Sequence, residues 1–110
     1  MTEKEAFFAR RERQNEAVLH QANLTIKRFL ALDGDAYGEG AIPKKYKELL
    51  GLAASAVLRC GDCITYHVVR AREEGATREE IAEALSVALV VGGSIVIPHL
   101  RQAFELLEEW

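Results

Sequence analysis

Two prolines, eight glycines and no long apolar run mark what this chain of 110 residues does without. A β-sandwich or barrel needs turn signals roughly every 8–12 residues, so so few turn-formers disfavour those folds and favour helices. The longest apolar stretches, 84–91 and 94–98, are interrupted by Ser86, Gly92-Gly93 and Ser94. A membrane span needs about 20 apolar residues, so none is expected. A basic surplus is missing as well. The net charge is −3, and the six Lys/Arg among residues 1–31 stand against four Glu. A nucleic-acid partner is therefore not expected, because such a surface carries a concentrated basic patch. The start, Met1-Thr2-Glu3-Lys4-Glu5, is charged and lacks the apolar run of a secretory signal. The expectation is a cytoplasmic protein without membrane association. No glycine-rich phosphate loop or nucleotide fingerprint is present, so no cofactor is expected.

What is present is 49% hydrophobic residues, enough for a core, in a length that fits one domain, 1–110. Residues 3–13 carry Phe7 and Phe8 on one side of a helix. Val18, Leu19, Ala22, Ile26, Phe29 and Leu30 form a stripe through 15–32. Asp33 to Gly40 reads as a loop. It begins like a calcium loop, but Tyr37 at its fifth position and Lys44 at its twelfth exclude one. Pro43 suits the first turn of a helix reaching about 58, with Tyr46, Leu49, Leu50, Ala53, Ala54 and Val57 as its stripe. A further helix from Cys60–Asp62 ends at Gly75, a left-handed cap residue. Thr77-Arg78-Glu79-Glu80 is a capping box for 78–91. Ser94 is expected to cap the last helix, with Ile97, Leu100, Phe104 and Leu107 inward and Trp110 at its end. The fold class is all-α, a compact bundle of five or six short helices. The segment 78–91 is apolar on most of its circumference, which predicts burial against other subunits.

The two cysteines stand three apart, Cys60-Gly61-Asp62-Cys63, with His67 four residues on. At about 100° per residue all three share one helical face. Helix N-terminal N–H groups and a nearby imidazolium both favour thiolate, lowering a thiol from about 8.5 toward roughly 3.5–7.5. Three readings are open: a redox dithiol with an attached acid/base, a metal site, and an inert pair of core residues. A structural zinc site commonly takes four ligands, and the fourth would have to be Glu48, His20 or His99. His20 reads as a partly exposed structural residue at the end of a stripe. His99, beside Pro98, lies near the start of the last helix.

Lys47-Glu48-Leu49, Cys60-Gly61-Asp62-Cys63, His67, Gly75-Ala76-Thr77, Glu80-Ile81 and Gly92-Gly93 together resemble the carboxymuconolactone decarboxylase superfamily. The nearest branch is the AhpD-like alkylhydroperoxidases, over about 40–110. The resemblance implies helical subunits assembled as trimers or hexamers. It implies a dithiol that reduces peroxides or disulfides, with Cys63 attacking peroxide, Cys60 resolving, and Glu48 and His67 relaying protons. It also implies a dithiol electron donor, lipoyl-type or a redox protein. Asp62 stands where better-known members carry a His, and a carboxylate there raises the thiols' pKa. The alternatives are a decarboxylase-like enzyme acting on a small organic acid and a non-catalytic metal-binding oligomer.

Overall fold

Helical spacing of the apolar residues governs the second half of the chain, where each run becomes a helix buried on one side. A computed structural model describes residues 1–109, and among them no strand occurs. The elements are α1 (Glu3–Gln21), α2 (Leu24–Ala36), α3 (Lys44–Val57), α4 (Gly61–Glu73), α5 (Arg78–Gly92), a 3₁₀ turn (Ser94–Val96) and α6 (Ile97–Leu107). Helix α3 packs against both α4 and α5, and α6 lies across α4. Between them Leu52, Ile64, Val68, Ile81, Leu85 and Val96 are fully buried. Each such side chain contributes about 1.5–3 kcal/mol of burial. No described helix is long and apolar enough to cross a membrane.

Local signals set several ends. The capping box forms as expected: the Thr77 hydroxyl accepts from the Glu80 N–H, and the Glu80 carboxylate accepts from the Thr77 N–H. That bond and the Lys45 ammonium hold the Glu80 carboxyl below its usual range. Gly75 follows α4 at φ +92°, a conformation L side chains rarely adopt.

Elsewhere the structure corrects the sequence reading. The spacing over 3–32 leaves open one helix or two; the chain breaks at 22–23, where the Asn23 side chain caps α2 by accepting from the Ile26 N–H. Asp33 to Ala36 are helical, so the loop begins only at Tyr37. Pro43 is the residue before α3, not in its first turn, and its carbonyl accepts from Tyr46 and Lys47. Ser94 does not cap α6; it opens the 3₁₀ turn. In α6 the buried residues are Ala103, Leu106 and Leu107, whereas Ile97 and Phe104 face outward. In α3 the inward face holds Glu48, Gly51, Leu52, Ser55 and Ala56, while Tyr46 and Leu50 are exposed. The stripe on α1 and α2 stays largely exposed within this chain: α2 has no buried residue. Trp110, read as the end of the last helix, lies outside the described residues.

Candidate active site

The turn between α3 and α4 delivers the first cysteine. Arg59 takes φ +61°, which reverses the chain after α3. The Cys60 N–H then donates to the Ser55 carbonyl at 3.0 Å. Cys60 is the N-cap of α4, and its Sγ accepts from the Cys63 N–H at 3.3 Å. From α6, the Gln102 amide donates to the Gly61 carbonyl and to the Thr65 hydroxyl, both at 2.9 Å, and ties down the first turn of α4. Cys60 and Cys63 are joined as a disulfide with Cα atoms 5.2 Å apart. One helical turn of separation is what allows the bond.

Behind the sulfurs lies a buried acid–imidazole pair. The Glu48 carboxylate on α3 accepts from His67 Nδ1–H on α4 at 2.8 Å. Glu48 is 3% exposed and His67 8%. A carboxylate only accepts, so it selects the Nδ1–H tautomer and leaves the lone pair on Nε2. The Tyr37 hydroxyl, 3.3 Å from Nε2, faces that lone pair. Burial first, then Asp33, Glu48 and Tyr66, push the Tyr37 phenol above its ordinary value, so it keeps its proton at neutral pH. The Tyr37 and His67 rings lie 5.1 Å apart, and Tyr66 meets His67 edge-on at 5.2 Å.

An open cavity of about 340 Å³ gives access to this group. Cys63, Tyr66 and His67 line it from α4, and Asp33 from α2. Cys60 does not line it, although both cysteines are partly exposed. The opposite wall is α1, with Phe7, Arg10 and Arg11. The Arg11 guanidinium lies 4.3 Å from the centre of the Tyr66 ring. Arg10 approaches the Asp62 carboxylate at 4.0 Å, with both groups partly exposed. At that exposure the pair offsets little of the charge that would disfavour thiolate.

Cys60, Cys63, His67 and Glu48 are therefore brought together from two helices. His20, exposed at the end of α1, and His99, in the first turn of α6, do not line the cavity. Among the described residues no group of three or more His, Cys, Asp or Glu is arranged to hold a metal ion. Sequence spacing gives no sign of this role for Tyr37, which stands out there only as a misfit in a calcium loop, or for Arg10 and Arg11, which count there only among the six Lys/Arg of residues 1–31.

Gly51 is what lets the pair approach. A Cβ there would sit 2.5 Å from the Tyr37 hydroxyl and 2.8 Å from His67 Cε1. Gly51→Ala is expected to destabilise by about 1–3 kcal/mol, the usual range for overpacking. Adding Tyr37→Phe removes the closest atom and should recover part of that loss. Thermal melts of the two single variants and the double variant measure the coupling, and simple additivity would contradict the geometry.

A model of the carboxymuconolactone decarboxylase family matches residues 24–109. The chain is 40% identical over 81 residues to uncharacterized protein 4 in the cox locus of Paracoccus denitrificans, covering 74% of this chain and 73% of that one. It is 39% identical over 56 residues to the alkyl hydroperoxide reductase AhpD of Mycolicibacterium paratuberculosis, covering 51% of this chain but 32% of that relative. Among solved structures, a Thermotoga maritima protein is 57% identical with a TM-score of 0.93, over 96% of this chain and 92% of that one. A carboxymuconolactone decarboxylase family protein of Legionella pneumophila is 28% identical with a TM-score of 0.87, over 96% of this chain and 95% of its own.

Proposed function

We propose that this chain, which belongs to the carboxymuconolactone decarboxylase family, is a thiol–disulfide oxidoreductase of the AhpD-like kind that reduces peroxides through Cys60 and Cys63. The observation that carries the reading is the Cys60–Cys63 disulfide at the edge of a cavity that also holds His67, itself bonded to Glu48. The similarity to AhpD proteins supports an oxidoreductase, over about half of this chain.

The chemistry follows from the placement. In the reduced protein His67 takes the Cys63 proton, and Glu48 holds the resulting imidazolium. The Cys63 thiolate attacks one peroxide oxygen, so an S–O bond forms and the O–O bond breaks. The leaving oxygen takes the proton back from His67 and departs as alcohol, or as water from hydrogen peroxide. Cys63 is then a sulfenic acid. The Cys60 thiolate attacks Cys63 Sγ, closes the disulfide and releases hydroxide, which is protonated to water. A dithiol donor, lipoyl-type or a redox protein, completes the cycle by attacking the Cys63 Sγ. Cys60 leaves as a thiolate stabilised by the Cys63 N–H, and a thiol of lower pKa leaves faster. A second exchange releases the donor as a disulfide, so two electrons enter for each peroxide reduced. A cycling disulfide of this type suits a reducing compartment such as the cytoplasm.

Intact-mass measurement tests the reading. Mild oxidation of the reduced protein with stoichiometric peroxide should remove about two hydrogens, and a dithiol should restore them. Two thiols that stay free under excess peroxide would overturn it.

A further inference from the structure

We infer that Tyr37 is a positioning residue whose hydroxyl serves His67 in both of its protonation states, donating to Nε2 when the imidazole is neutral and accepting from Nε2–H once the thiol proton has arrived. The inference rests on the thiol chemistry proposed above.

The geometry leaves His67 two polar partners, one per nitrogen. Nδ1–H goes to Glu48 at 2.8 Å, and Nε2 has the Tyr37 hydroxyl at 3.3 Å. In the disulfide state no sulfur carries a proton, and Tyr37 occupies the basic nitrogen. On reduction the Cys63 thiol needs that nitrogen. A neutral imidazole has one lone pair there, so hydroxyl and thiol compete for it. The S–H bond breaks and an Nε2–H bond forms, with no electrons exchanged. A hydroxyl both donates and accepts, so Tyr37 need only rotate its proton away to keep its place. Glu48 offers no such reversal, because a carboxylate accepts in either state.

Tyr37 also joins His67 to a second cavity, of about 290 Å³. Tyr37 and Glu48 line that cavity and Cys63 does not. The charged groups around it are Asp33 from α2, Lys44 from α3, and Arg70, Glu73 and Glu74 at the end of α4, with Tyr66 shared between both cavities. Two pairs partly neutralise this set: Lys44 with Glu74 at 3.8 Å, and Arg70 with Glu73. On the sulfur side the charged groups are Arg10 and Arg11 from α1, Asp33 from α2 and Asp62 from α4. Tyr37 thus lines a cavity that Cys63 does not share.

Hydrogen bonds to a charged group are stronger than those to a neutral one. Losing the hydroxyl therefore weakens the imidazolium–thiolate state more than the neutral pair. The test is the pH dependence of Cys63 alkylation by iodoacetamide in reduced Cys60→Ser protein, with and without Tyr37→Phe. Phenylalanine keeps the ring on His67, and the melting temperature reports whether the fold is kept. The expected result is a half-maximal rate displaced upward by about one pH unit, so that alkylation near pH 7 slows about tenfold. Alkylation needs no peroxide, so failure of the peroxidase reading leaves this test intact. An unmoved profile with an unchanged melting temperature would reduce Tyr37 to a packing residue and overturn the inference. If Tyr37→Phe lowers the melting temperature strongly, the same profile is measured well below the lowered melting temperature, where the fold is kept, and an unmoved profile there overturns the inference equally.

Discussion

Cys63→Ser is expected to bring peroxide consumption down to the uncatalysed rate, whereas Cys60→Ser should leave a sulfenic acid at Cys63 that a dimedone-type reagent traps. Two features of the site bear on this pairing. Cys63 lines the cavity and Cys60 does not, so a peroxide bound in that cavity would meet the Cys63 sulfur. Cys60, at the N-cap, has the Cys63 N–H directed at its sulfur, which favours Cys60 as the thiolate that closes or leaves the disulfide. An attack led by Cys60, as at sites where the N-capping cysteine is the nucleophile, would give the opposite pattern. Sulfenic acid trapped at Cys60 in Cys63→Ser protein is the outcome that would reverse the roles. The size of the effect follows from the chemistry: without the attacking sulfur no covalent step remains, and neither His67 nor Glu48 supplies another nucleophile of comparable strength.

The second large effect concerns assembly, where a mass of three or six times 12.2 kDa is expected, six being the first choice. Helix α2 buries no residue in this chain, and Leu24, Phe29 and Leu32 stand on it in the open. On α5 and the turn after it Val87, Val90, Val91 and Ile95 are exposed too, with Val90 at 85%. Exposed apolar faces of this extent are uncommon on monomeric soluble proteins. Identical subunits in closed symmetry would cover them. Light scattering coupled to size exclusion gives the mass directly. Val90→Glu should lower it, because a carboxylate buried without a partner opposes association. A monomer at micromolar concentration, with the apolar α2 and α5 faces left in water, would sink the proposal. An assembly that also restrains α1 would steady the wall carrying Arg10 and Arg11.

The sequence by itself determined whatever depends on residues a few positions apart. Helices α4 and α5 were legible because a capping box, a left-handed glycine and apolar spacing are local signals. The shared face of Cys60, Cys63 and His67 was legible for the same reason, since helical geometry relates i, i+3 and i+7 without reference to any other element. The phase of α3 was legible only in part: Leu49, Ala53 and Val57 pack against the core as their spacing implies. Counting apolar residues favoured Tyr46 and Leu50, yet the inward face carries Glu48, Gly51 and Ser55. Their burial is offset by partners on other elements: His67 for Glu48, the Cys60 N–H for the Ser55 carbonyl, and close contact with Tyr37 and His67 for Gly51. Such partners follow from how α3 and α4 pack, not from periodicity. Tyr37 and the α1 arginines were out of reach for the same physical reason. They meet α4 across gaps of about 30 and 50 residues in sequence, and only packing brings groups so far apart in the chain to one imidazole and one cavity.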